Sequence, residues 1–119
     1  MKTDNVIVDK SKAFALRIIK LYQMLHQQHE FILSKQLLRS GTSIGANVRE
    51  AIHGQSRADF YAKMNIALKE ASETEYWLEL LSESGYIPND TAYRTLYKDC
   101  QELIAILISI TKTRHSSTN

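Results

Sequence analysis

With 119 residues, 44% of them hydrophobic, the chain has the size of a single domain that can bury a core of its own. Its lone Cys100 excludes an internal disulfide framework and any multi-cysteine metal site, and fits a reducing cytoplasm. The formal charge of +2 hides an asymmetry, since residues 1–69 hold 11 Lys/Arg against 5 Asp/Glu while residues 70–102 hold 2 against 8. That split reads either as a basic surface for nucleic acid or as attraction between neighbouring helices or subunits. The second reading comes first, because the total basicity falls short of what dedicated nucleic-acid binders carry. No apolar run approaches the roughly 20 residues needed to span a bilayer, and the N-terminus MKTDNVIVDKSK is too charged for a signal peptide. The expectation is a soluble cytoplasmic protein with no membrane partner.

In chain order the pattern predicts helices and little else. The first, over about 9–27, offers Phe14, Ile18, Leu21 and Leu25, with Ile19 and Tyr22 widening the stripe. A break near Gln27 to Phe31 leads to a second, over 31–53, with Leu33, Leu37, Ile44, Val48 and Ala51 in phase. Gly54 can end it and Ser56 can cap the third, over 56–84. There Phe60, Met64, Ala67, Ala71, Thr74, Leu78 and Leu81 alternate steps of four and three. The stretch SGYIPND carries the strongest turn signal, with Gly85 closing one helix and Asn89 or Asp90 capping the next. The fourth, over 90–113, repeats the seam at Tyr93, Leu96, Cys100, Leu103, Leu107 and Ile110, before a polar tail at 114–119. Short connections make sequential helices antiparallel neighbours, so an all-α, up-and-down four-helix bundle is the expected fold.

The second helix raises a question of its own, because LLRSGTSIGANVREA is rich in small residues. A Walker-type phosphate loop needs GxxxxGK[ST] after a strand, and GTSIGAN supplies neither spacing, lysine nor strand. The apolar positions keep helical phase through the stretch, so the reading is a continuous helix. Each interior glycine costs it about 1 kcal/mol relative to alanine. Gly41 and Gly45, with Ala46 beside them, therefore mark a surface where another backbone or a bulky ring comes close, the other reading being a local kink. Arg39, Ser43, Asn47 and Glu50 share the next face. That stripe is either solvated or a polar network in which Arg39 or Asn47 bonds to Glu70 and Glu73 of the third helix.

At these residues the chain resembles a known family. RSGTSIGANVREA (39–51), SRADFYAKMNIALKEASETEYWLELL (56–81) and GYI (85–87) are similar to the four helix bundle proteins, also called 23S rRNA intervening-sequence proteins. The likeness covers nearly the whole chain, and its central block is SIxxNxxE at Ser43, Ile44, Asn47 and Glu50, followed by SxxDF at Ser56, Asp59 and Phe60. The resemblance implies a small bacterial protein, a left-handed up-and-down bundle, a homopentamer and no enzyme activity. Distant relatives among the accessory proteins of diversity-generating retroelements imply, more weakly, a nucleic-acid role.

The residues themselves also favour self-association. Tyr22, Tyr61, Tyr76, Trp77 and Leu80 fall outside the seams and form the candidate subunit interface, Tyr and Trp combining large area with a polar handle. Catalytic, cofactor and metal sites are expected to be absent, as is a small-molecule substrate. Glu50 and His53 form one ExxH, but a di-iron bundle needs a second copy and two further inward glutamates. His26 and His29 make only two ligands at a helix end. Cys100 sits on a seam, where a buried thiol is inert. Two function classes remain: a homo-oligomeric scaffold with a protein partner, and an RNA- or DNA-binding oligomer that multiplies weak basic patches by symmetry. For the second, the candidate phosphate contacts are Arg17, Lys20, Lys35, Arg49, Arg57 and Lys63.

Overall fold

The computed structural model describes residues 2–117, with side chains described over 6–112. Four helices follow in order, α1 Lys2–Gln27, α2 Leu33–Ile52, α3 Arg57–Glu83 and α4 Thr91–Ser117. At 1.5 Å per residue the longest of them span about 40 Å, and the molecule measures 48 × 22 × 20 Å. The connections 28–32, 53–56 and 84–90 are too short to run back along such a rod, so consecutive helices are antiparallel. Close backbone packing joins α1 to α2, α2 to α3, α3 to α4 and α4 to α1, and among the described residues the diagonal pairs do not approach so closely. That is the up-and-down four-helix bundle.

Two helices outrun their expected bounds. Helix α1 begins at Lys2 rather than residue 9, because Ile7 and Ser11 continue the buried stripe of Phe14, Ile18 and Leu25 toward the N-terminus. Helix α4 runs to Ser117, into the polar tail; Thr118 and Asn119 of that tail lie outside the described residues.

One continuous apolar cluster fills the centre. It takes Met64, Ala67, Ala71, Leu78 and Leu81 from α3, Leu96, Cys100, Leu103, Leu107 and Ile110 from α4, and Leu37, Ile44, Val48 and Ala51 from α2. Thr74 is buried in phase with them, while Phe60 and Tyr93 pack half-buried at the edges. Each turn uses a different stop. Ser56 is the N-cap of α3, its hydroxyl accepting from Asp59 N at 3.0 Å. Gly85, at φ +90°, takes the left-handed position that closes α3, and Asp90 Oδ1 accepts from Tyr93 N at 2.9 Å to cap α4. At the end of α2 the C-cap is His53 rather than Gly54. A Cβ on Gly54 would stand 2.6 Å from Asp59 Oδ2 and 3.1 Å from Ala51 O, so the carboxylate would have to move aside.

Candidate interaction surfaces

Helix α2 packs on α1 along one flank and on α3 along the other. On its α1 flank the backbone comes close to large neighbours. A Cβ built on Gly41 would stand 2.9 Å from two carbons of the fully buried Ile18, closer than real Cβ atoms approach. A Cβ on Gly45 would meet Ser11 at ordinary contact distance, 3.4 Å. Ala46 is not part of this close packing. One residue past Gly45, it has turned about 100° round the helix, and it is exposed on the rim of a shallow α1–α2 groove.

The α3 flank is polar. Arg39 donates from Nη1 to Glu70 Oε2 at 3.0 Å and from Nη2 to Glu73 Oε1 at 2.5 Å, and Glu73 Oε1 also accepts from Trp77 Nε1 at 3.2 Å. The hydrogen bond from Arg39, helped by Trp77 and opposed by partial burial, holds the Glu73 carboxyl below the usual glutamate range. Asn47 takes no part in this. Its amide donates to Ser43 O at 2.9 Å, and Ser43 Oγ to Arg39 O at 2.6 Å, both inside α2. Glu50 pairs with Lys63 at 3.7 Å. The stripe is therefore a half-solvated edge rather than a buried network, and the Arg39 side chain keeps 48% of its exposure. Beneath it lies a buried contact with no charge: Thr74 Oγ1 bonds to Ser40 Oγ at 2.9 Å and donates to Glu70 O at 2.7 Å. Thr74 was legible as a seam position; its partner Ser40 was not.

The five aromatic and aliphatic interface candidates separate on the molecule. Tyr61 is buried within the chain, its ring 5.1 Å from that of Phe60 and 6.0 Å from the Arg57 guanidinium. It belongs to the bundle end and not to a surface, because the first turn of α3 folds it inward beside the seam. Tyr22 is half-buried and its hydroxyl meets His26 Nε2 at 2.8 Å. Tyr76, 54% exposed, and the half-buried Trp77 and Leu80 remain together on the outer side of α3.

The basic candidates separate likewise. Arg17 is committed inside the chain, clamping α1 to α4 through Asp99 Oδ2 at 2.6 Å, Thr95 Oγ1 at 3.0 Å and Ala92 O at 3.1 Å. Lys63 is paired with Glu50, and Arg57 leans on Tyr61. Lys20, Lys35 and Arg49 are exposed. Arg49 shares a groove of about 330 Å³ with Lys12, walled by Ser11, Ala15, Thr42 and Gly45 and containing no carboxylate.

The expected break near Gln27 to Phe31 is the turn between α1 and α2, but the periodicity gave no sign of what holds it. His29 sits in the left-handed region at φ +63°, and Glu30 N donates back to Leu25 O at 2.9 Å. Glu30 is buried, 7% exposed, and its carboxylate accepts from the amides of Ile32, Leu33 and Ser34 at 3.3, 3.1 and 2.6 Å. Burial alone would raise its pKa; the three amide donors outweigh that and bring it below the usual range. The signal in the sequence is a glutamate three residues ahead of an apolar helix start, with Ser34 returning a bond from Oγ to Glu30 O at 2.7 Å.

Among the described residues no three His, Cys, Asp or Glu side chains are grouped to hold a metal, and no helix is long and apolar enough to cross a membrane. Burial pushes the Cys100 thiol up to about 12, and the Tyr97 phenol, donating to Glu79 Oε2 at 2.6 Å, is pushed up by that carboxylate.

The family model of the 23S rRNA-intervening sequence protein matches residues 3–109. A crystal structure of a protein described as of unknown function, from the S23 ribosomal protein family of Bacteroides thetaiotaomicron, is 58% identical with a TM-score of 0.88, covering 92% of this chain and 98% of that one. Among curated proteins none matches. Neither description names an enzymatic activity. With nearly the full length matched and the four-helix architecture shared, the chain belongs to the family of 23S rRNA-intervening sequence proteins.

Proposed function

We propose that the protein is a non-enzymatic, cytoplasmic homo-oligomer, with a pentamer favoured by the family resemblance, that serves as a scaffold or interaction module for a protein partner. The observation that carries this reading is the apolar surface left over once the core is full. Leu16 and Tyr76 are more than half exposed and Ile108 nearly so, on α1, α3 and α4 respectively, and on α3 the Tyr76 ring lies 5.3 Å from that of the half-buried Trp77. Covering such groups is a strong reason for copies to associate. Multi-angle light scattering tests it: the expected mass is a fixed multiple of the 13.6 kDa chain. A monomer at micromolar concentration overturns the reading. Copurification from the native cell is expected to retain a stoichiometric protein partner.

A second reading, binding to RNA, draws on the family's description, which ties it to 23S rRNA, and on the groove that brings Lys12 and Arg49 together without a carboxylate. Repetition around an oligomer would multiply so modest a patch. A 23S rRNA fragment is then retained at low ionic strength and released as salt rises, and Arg49→Glu weakens retention. Absence of salt-sensitive retention defeats this reading without touching the first.

A further inference from the structure

The turn between α1 and α2 is built to hold apolar side chains in water. Phe31 is half exposed and Ile32 is 77% exposed, the most of any large hydrophobic residue in the described chain. A flexible loop would fold such groups down onto the bundle. Here the backbone is fixed on both sides, by the left-handed His29 and by the buried Glu30 carboxylate that ties down the amides of Ile32, Leu33 and Ser34. Phe31 is further wedged edge-on against His26, ring centroids 4.8 Å apart. A non-glycine residue with positive φ and a buried acid, both acting to display one aliphatic side chain, point to a role for that side chain outside its own subunit.

At the same end of the bundle, α1 and α4 leave a pocket of about 170 Å³, lined by Leu21, Met24, Ile87, Pro88, Tyr93 and Leu96. A cavity of about 150 Å³ takes a benzene-sized group, so this one fits a single branched or aromatic side chain. We infer that Ile32 of one copy enters the Leu21–Leu96 pocket of the next, with Phe31 packing on its rim. Charge agrees with a second copy as the occupant. Lys35, one turn beyond Ile32, is exposed in the basic half of the chain. Asp90 stands exposed at the pocket's lip, and both nearby guanidinium groups are engaged within the chain, Arg17 of the lining by Asp99 and Arg94 of the turn by Asn89 O and Thr91 Oγ1. Tip and pocket lie at the same end of the bundle, the one that carries the α1–α2 and α3–α4 turns, so copies can pass the contact around a ring with their axes side by side.

The inference rests on the homo-oligomer proposed above, and one set of variants separates the two. Ile32 occupies the N-cap of α2, where its own side chain makes no bond and the first amides are held by Glu30. Ile32→Ser therefore removes an apolar side chain that is 77% exposed and takes no hydrogen bond from the fold. Ala92, exposed at the pocket wall, changed to Leu, fills the pocket from its own side. Each variant alone is expected to weaken association at least about tenfold, as loss of a central anchor does. Mixed in equal amounts they regain one good contact, the intact Ile32 of Ala92→Leu entering the intact pocket of Ile32→Ser, and light scattering then shows heterodimers. A wild-type monomer overturns the oligomer reading and this contact together. A wild-type oligomer whose mass survives both substitutions, or a mixture that stays monomeric, overturns this contact alone.

Discussion

Where α2 packs on α1, bare backbone at Gly41 lies against the branched Ile18; where it packs on α3, side chains meet side chains, the Ser40–Thr74 hydroxyls inside and the Arg39 fork at the rim. The first contact is governed by shape in a site with no solvent, the second by polar pairs of which the charged one is half in water. Close-packed interiors respond to a single methyl group, whereas exposed ion pairs contribute little. The difference teaches that the α1 flank sets how near the helices stand and should dominate stability, while the α3 flank chooses their register at small energetic weight.

The largest test falls on the turn that delivers α2 to α1. Glu30→Ala removes the acceptor of three amides at a buried helix start, and losses of about 1–3 kcal/mol are expected. Urea denaturation at fixed protein concentration measures it. Because the folded pKa of Glu30 lies below its usual value, its contribution is complete above roughly pH 4.3 and disappears as the pH falls through the folded value. Wild type should thus lose stability toward acid more steeply than Glu30→Ala. Parallel acid profiles would show that the cap is not worth its geometry.

The two glycines sharpen the comparison by predicting opposite signs one turn apart. Alanine at Gly45 meets Ser11 at ordinary distance, so it should stabilise by up to about 1 kcal/mol, the helix-propensity gain. At Gly41 the same gain is set against a clash with Ile18 at 2.9 Å. Overpacking costs about 1–3 kcal/mol, leaving a net loss of up to about 2 kcal/mol. Thermal melts of the two variants side by side decide it, and equal shifts would remove the steric account of this flank.

How much of this was legible follows from which signals are local. Steps of three and four from Met64 to Leu81 and from Leu96 to Ile110 announced the bundle, because a buried stripe must repeat at the helical period. The small residues at 41 and 45 announced close approach, but the partner, Ile18, lies 23 positions away and only packing selects it. Ile7 was passed over because the charges around it mask a buried position at the end of α1. Tyr61 read as surplus because its phase is off the seam, although its neighbours Phe60 and Arg57 lie against it and it is buried. Ser40 and Glu30 were invisible for a common reason: polar residues are assigned to water by default, and their burial depends on a partner far along the chain or on backbone amides that carry no sequence mark.

The smallest effect is expected at the rim of the α3 flank. Arg39→Ala opens a fork to Glu70 and Glu73, yet Arg39 is half exposed and screened by solvent, so the loss should stay below about 1 kcal/mol. It should shrink further in high salt, where surface pairs are screened within a few ångströms. Arg39→Lys should recover only part of it, since an ammonium cannot serve two carboxylates with a planar fork. Trp77 supplies a local readout, its indole N–H bound to the same Glu73 oxygen that Arg39 holds. Its fluorescence is expected to change in Arg39→Ala while the denaturation midpoint barely moves. A midpoint shift as large as that of Glu30→Ala would reverse the ranking of the two flanks, and would mean that the rim pair is shielded from water by something the single chain does not provide, such as a neighbouring copy laid across α3.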